Sequence, residues 1–317
     1  MLIVQSIPVT ARAPWLEARK TRINASEVGT LYGKGKQTTR LQLAYAKLYG
    51  EPDKKRDAGV LRRGILLEPA CAMAVEHDHG IALTKVRHYL AGHDTDDQRV
   101  RVGATLDYDF EMDGGRLLDA LHRGRVSNPW DDLDGLPVRM AVECKSIDRD
   151  IFETEWADGP PAQHIYQAVT QAMLGGYDGA LIAGLVVNYN HDLHLYAVPR
   201  DEKLERKILA DIADFWGDLD AGVLPAAEPR DNSTIARHTK PKPGSLLDLR
   251  GDPSWELLME DREGLKARVK GLEYEIDAIE VRIKEAMGDH TIALIDGWKV
   301  TWNANTKGVR SLRVERA

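Results

Sequence analysis

The chain has 317 residues, is 43% hydrophobic and 29% charged, and carries a formal net charge of −7. That length gives room for one large domain or two smaller ones with an ample core, and the acidic total argues against a generic nucleic-acid coat. No run approaches the roughly 18 apolar residues of a membrane span, no basic-then-apolar segment opens the chain, and two cysteines without a CxxC argue against a disulfide framework and point to a reducing cytosol.

The charge is unevenly spread. Residues 1–63 hold 13 Lys and Arg against 5 Asp and Glu, a local net of +8, which leaves −15 on the remainder. A basic third on an acidic body can offer a phosphate-binding surface, although a merely solvated face accounts for it as well.

In chain order, residues 10–20 read as a short helix with Trp15 and Leu16 turned inward. Ser26 reads as the N-cap of a helix from Glu27 to Leu31. Thr38 or Thr39 caps a second helix from Arg40 to Leu48, and residues 60–79 form a third that Gly80 stops. Strand-like segments follow at 81–90, 99–109 and 138–145. Residues 114–137, rich in Gly, Asp, Asn and Pro, read as a long loop or insertion. A helix at about 161–175 precedes the apolar run Ala180 to Val187, a buried strand; Leu193 to Val198 is another strand, and 201–221 is a helix. This order fits a mixed α/β core spanning residues 1–225. Residues 226–253 read as a linker. In residues 254–317, Leu265, Val269, Leu272, Ile276, Ile279 and Ile283 recur in alternating steps of four and three, a heptad seam, and 293–302 reads as a β-hairpin on Asp296-Gly297.

The chemistry concentrates in two strands. Asp107 ends the apolar run Val102 to Leu106. In Val142-Glu143-Cys144-Lys145, apolar Met140 and Val142 alternate with Ala141, Glu143 and Lys145, so Glu143 and Lys145 share a face. Two carboxylates and an ammonium brought together suit a hard divalent cation and a positioned water, the D…(D/E)-x-K pattern of the restriction-endonuclease-like nucleases. An E-x-K triplet is also common on any amphipathic strand. Glu68, three positions after Ile65, lies near the apolar face of its helix; a metal is one partner it could need, and a capping or solvated role is the other reading. Gln167 could orient a water or bond a carboxylate. Arg19 and Ser26, with Arg22 between, could bind a terminal phosphate through guanidinium, hydroxyl and helix N-terminus; a surface arginine beside a helix cap reads equally well. The histidines show neither HExxH nor a zinc-finger spacing, and there is no Walker loop or GxSxG elbow.

Taken in order, these blocks resemble the YqaJ-like viral recombinase family, the relatives of phage lambda exonuclease. Trp15-Leu16-Glu17-Ala18-Arg19 with Ile23-Asn24-Ala25-Ser26-Glu27-Val28-Gly29 resembles the family's W…R…TASEV opening. Gly64 to Pro69 resembles its G-x-x-x-E-P helix, Thr105-Leu106-Asp107-Tyr108 its T-x-D-G strand, and Val142-Glu143-Cys144-Lys145 its V-E-x-K-T strand. Tyr166 to Gln171 is similar to its Y-x-Q helix, and Phe215-Trp216, Gly222 and Pro225 to its closing block. Tyr108 departs from the usual glycine and Ser146 from the usual threonine.

The resemblance implies a restriction-endonuclease-like core, a central mixed sheet flanked by helices, with a long C-terminal helix and hairpin appended. It also implies a Mg2+-dependent 5′-to-3′ exonuclease on double-stranded DNA ends, with Mn2+ as a substitute metal, leaving 3′ single-stranded tails for recombination. Glu68, Asp107, Glu143 and the carbonyl of Cys144 would hold the metal, Lys145 and Gln167 would handle the water, and Arg19, Ser26 and Arg22 would take the 5′-phosphate. A single-strand annealing protein and a ring of subunits, a trimer being one form, are the implied partners, in the cytoplasm. A related endonuclease of the same fold and a non-catalytic recombination scaffold are the competing readings.

Overall fold

The computed structural model describes residues 1–36, 38–50, 58–130, 133–187 and 191–316. The chain divides into two compact units, 1–240 and 241–317. The first runs β1 (Leu2–Pro8), α1 (Arg12–Lys20), β2 (Ile23–Asn24), α2 (Ala25–Leu31), α3 (Arg40–Tyr49), α4 (Ala58–His79), β3 (Thr84–Lys85), β4 (His88–Asp94), β5 (Arg101–Thr105), β6 (Tyr108–Asp113), α5 (Gly114–Arg123), β7 (Pro137–Asp148), α6 (Arg149–Glu155), α7 (Ala162–Gly175), β8 (Gly179–Val187), β9 (His191–Pro199), α8 (Glu202–Asp220), a 3-10 turn (Pro229–Asp231) and α9 (Asn232–His238). The second holds α10 (Pro253–Met287), β10 (Ile292–Ile295), β11 (Trp298–Ala304) and β12 (Arg310–Arg316). The fold is mixed α/β, as the sequence implies.

Two sheets build the first unit: β1-β4-β5-β2, and β3-β6-β7-β8-β9. In the second sheet β7 and β8 are parallel, with α6 and α7 in the connection between them, while the other pairings are antiparallel. The apolar run of β8 is buried along nearly its whole length, as a strand covered on both faces must be. The period of two in β7 sorts its residues cleanly. Val138, Met140, Val142 and Cys144 join one core cluster with α4 and α5 residues, while Ala141 and Ile147 join the other, with α7 and α8 residues. Glu143 and Lys145 therefore stand on the α7 side.

Helix α2 packs against α7 at close range. A Cβ on Gly29 would come within 2.9 Å of the Cα of Gln163, so only glycine permits this approach. One turn on, Tyr32 stacks on Tyr166 with ring centroids 4.4 Å apart.

Several expectations are corrected. Residues 114–123 are not loop but α5: Asp113 caps it through the Arg116 N–H (3.2 Å), and Leu117, Ala120 and Leu121 are buried, a helical stripe hidden by the flanking glycines. The N-cap of α2 is Asn24, not Ser26; its backbone N–H donates to Glu27 Oε2 at 2.8 Å. Leu16 is exposed, and Trp15 packs beside Ala18, Tyr89 and Ala91. Strand β1 escaped notice because its side chains are mostly exposed and its stability comes from pairing with β4. The C-terminal hairpin gains a third strand, β12.

Residues 229–238, read from their composition as linker, are structured. Asp231 is fully buried; it accepts a hydrogen bond from Thr39 Oγ1 at 2.5 Å and another from the Glu228 N–H at 2.8 Å. Asp231→Ala should leave both donors unpaired and lower stability by about 1–3 kcal/mol, read as an earlier denaturant midpoint.

Candidate active site

The chain passes from the first sheet to the second across Leu106 and Asp107, between the end of β5 and the start of β6. Leu106 is buried and anchors the step. The Asp107 carboxylate accepts the Cys144 backbone N–H at 2.9 Å, and its carbonyl accepts the Val86 N–H at 3.2 Å. Burial above all, then the charges of Glu143 and Glu68, lift Asp107 from its ordinary 3.8 to about 8, with Lys145 and the Cys144 N–H pulling the other way.

Glu143 is 4% exposed. One carboxylate oxygen accepts Lys145 Nζ at 2.5 Å and the other Gln171 Nε2, also at 2.5 Å. Burial draws the Lys145 ammonium down, but Glu143 and Asp107 outweigh it and hold the group above its ordinary value. Lys145 Nζ also donates to Gln167 Oε1 at 3.4 Å. Gln171 Nε2 reaches the Thr105 carbonyl too, at 3.0 Å, so one amide ties β5 to β7. Arg19 Nη1 donates to Thr105 Oγ1 at 3.4 Å. A continuous path therefore runs from Arg19 through Thr105, Gln171, Glu143 and Lys145 to Gln167, with Asp107 two residues beyond Thr105.

Of the residues singled out in the sequence, Asp107, Glu143, Lys145 and Gln167 come together. Glu68, on α4, is near enough to raise Asp107 but is ion-paired with Lys85 of β3, whose ammonium lies 4.5 Å from the Tyr108 ring centroid. Cys144 meets Asp107 through its N–H. Arg19 lies 5.6 Å from the Trp15 ring centroid, and Ser26 is exposed in the first turn of α2. Arg22 bonds the Ala18 carbonyl and Thr21 Oγ1. A buried network fixes this corner: Lys47 Nζ donates to Glu27 Oε2 (2.7 Å) and the Arg19 carbonyl (3.2 Å), Asn24 Nδ2 to the same carbonyl (3.1 Å), and Tyr89 OH to Asn24 Oδ1 (2.8 Å).

Sequence reasoning missed three participants. Gln171 and Thr105 hold the centre, and His164 lies beside it. Gln171 had a signal, since His164, Gln167 and Gln171 recur at i, i+3 and i+7 on one face of α7. Burial, then the charges of Lys145 and Lys36, push His164 down to about 3, so its imidazole is neutral. The two cysteines, distant in sequence, are free and buried; Cys71 Sγ donates to the Ala183 carbonyl at 3.4 Å, and the neighbouring Cys71 together with burial raises the Cys144 thiol.

Among the described residues no group of three or more His, Cys, Asp and Glu side chains is arranged to hold a metal ion. The donor chemistry still fits a hard cation. Asp107 and Glu143 crowd two carboxyl groups into a buried place with one ammonium; burial first, and the Glu143 charge second, raise Asp107.

This is a mixed-sheet α/β unit with an acid–acid–lysine set where its two sheets meet. The chain matches the YqaJ-like viral recombinase domain over residues 14–178 and belongs to that family. No curated protein matches it. Among solved structures, it is similar to an alkaline exonuclease from Laribacter hongkongensis at 18% identity and a TM-score of 0.46, over 72% of this chain and 100% of that one. A phage-related exonuclease from Haemophilus somnus aligns at 13% identity and a TM-score of 0.40, over 63% of this chain and 96% of that one.

Because folding raises Asp107 to about 8, the native state binds more protons there than the unfolded chain between about pH 4 and 8, and stability falls as pH rises through that window. Asp107→Asn removes the penalty. In EDTA at pH 7 the variant should unfold at higher denaturant than the native chain, and the gap should close below about pH 4.

Proposed function

We propose that this chain is a Mg2+-dependent 5′-to-3′ exonuclease on double-stranded DNA ends, producing 3′ single-stranded tails for phage-type recombination. The observation that carries the reading is the hydrogen-bonded path from Arg19 to Gln167 alongside Asp107. It joins a cation suited to a terminal phosphate to a carboxylate–lysine centre suited to hydrolysing the next phosphodiester. No helix among the described residues is long and apolar enough to cross a membrane.

Asp107, Glu143 and Glu68, with the Cys144 carbonyl, would hold Mg2+, with Mn2+ as a substitute. The metal would supply Lewis-acid polarisation of the phosphoryl oxygens. Glu68 would have to exchange Lys85 for it. Lys145, held protonated by Glu143, donates hydrogen bonds, so its part is to orient the attacking water and offset charge developing on the phosphate. Gln167, bonded to the same ammonium, fixes where that ammonium points. Arg19, with Ser26 and Arg22, would seat the 5′-phosphate. Water adds to phosphorus, the P–O3′ bond breaks, and the departing O3′ takes a proton. The released nucleotide keeps its own 5′-phosphate, and the shortened strand bears a new one, so each cut regenerates the group that Arg19 recognises. A ring of subunits around the duplex and an annealing protein that loads the tail complete the proposal.

The deciding experiment is digestion of linear against closed circular duplex with Mg2+ or EDTA. Linear DNA should be degraded only with metal, leaving the strand with a free 3′ end, and circular DNA should survive; cutting of the circle would make the chain an endonuclease. Lys145→Ala should lower the rate by about 10²–10⁴-fold while end binding persists. Arg19→Ala should reduce the preference for a 5′-phosphorylated over a 5′-hydroxyl end by about 10- to 100-fold, measured as relative initial rates on the two substrates.

A further inference from the structure

Helix α10 runs 35 residues, Pro253–Met287, and only Met287 of it is buried. Two interior glycines, Gly264 and Gly271, each cost about 1 kcal/mol relative to alanine. The helix nonetheless displays an apolar line: Leu258, Leu265, Val269, Leu272, Ile276 and Ile279 are each more than half exposed. A single helix gains nothing from such a line unless another surface covers it.

The residues say what that surface is. The +4, +3 spacing fixes the heptad register, because a d-to-a step spans four residues and an a-to-d step three. Val269, Ile276 and Ile283 then fall at a, and Leu258, Leu265, Leu272 and Ile279 at d. β-branched side chains at a with leucine at d favour a parallel pair of strands. The flanking charges agree in two of three places. In a parallel pair, Asp261 and Arg268 at g would face Lys266 and Glu273 at e of the second helix, while Glu275 would face Glu280. Glu280 is already paired within its own helix, to Lys284 at 2.7 Å, which softens the one like-charge encounter.

We propose that the α10 seam is the interface of a parallel, in-register, two-stranded coiled coil with a second copy of this chain. The interface is independent of the nuclease centre. The ends of the coil set its reach: Trp255 at a opens the seam, and Arg262, at the next a position, is the one charge within it. A buried arginine at a is tolerated in a dimer, where its stem packs and its head reaches water, and it disfavours higher-order bundles.

Sedimentation equilibrium of the full-length protein tests the pairing. Leu272→Asp combined with Ile276→Asp should bring the mass to half that of the native assembly, because the seam joins copies that the first unit leaves apart. Tyr274→Asp, on the outer face at 76% exposure, should leave the mass unchanged. If the native protein and the double variant have the same mass, the proposal is wrong. Orientation is tested separately with Leu265→Cys under mild oxidation, the native cysteines being buried. Parallel, in-register helices place this residue opposite its own copy, so a species of twice the chain's mass should appear on a non-reducing gel. A gel without it would overturn the parallel register.

Discussion

The bond from the Cys144 N–H to the Asp107 carboxylate is the constraint on which the candidate centre depends. Asp107 sits in the two-residue step where the chain leaves one sheet and enters the next, a place where backbone groups would otherwise go unpaired. Its carboxylate takes a main-chain donor of β7, and its own carbonyl takes the Val86 N–H. The same bond therefore ties the step between the sheets to β7 and brings Asp107 alongside Glu143. Gln171 repeats the device from the helix side, spanning the last carbonyl of β5 and the Glu143 carboxylate.

That geometry is costly. Burying two carboxyl groups beside one ammonium costs hydration of the charged forms, and burial, followed by the Glu143 charge, holds Asp107 above its ordinary value. A protein selected for stability alone would put apolar residues there. Strain of this kind gathers where a site must bind a charged ligand, because the ligand relieves it. The Glu68–Lys85 pair belongs to the same economy. Lys85 satisfies Glu68 and lies against the Tyr108 ring, so Glu68 carries its own local counter-charge.

Much of this was legible in the sequence because it follows from local periodicity. The alternation in β7 puts Glu143 and Lys145 on one face whatever the tertiary fold, and the apolar run before Asp107 marks a buried strand. The fully apolar β8 could only be an interior strand. What escaped reading depends on distant partners. Strand β1 has no buried stripe of its own and exists through pairing with β4. Helix α5 is short, and its Leu117, Ala120 and Leu121 lie within a stretch whose Gly, Asp and Pro content reads as loop. Helix α9 is held by Asp231 on Thr39, nearly 200 positions earlier. Thr105 and Gln171 are unremarkable residue types whose role appears only when β5 and α7 meet.

The choice of amides on α7 has its own logic. A carboxylate pair that is to bind a hard cation, as proposed for Asp107 and Glu143, must be held in place without being neutralised. Lysine or arginine at position 171 would pair Glu143 as firmly, but would add a second positive charge and weaken the attraction for the proposed cation. Glutamine satisfies one carboxylate oxygen with a hydrogen bond and no net charge, leaving Lys145 as the single cation. The neutral His164 fits the same economy: a charged imidazole so near Lys145 would oppose cation binding, and burial excludes it. Its face of α7 thus presents shape and dipoles, while the step before β6 and strand β7 supply the titratable groups, Asp107, Glu143 and Lys145.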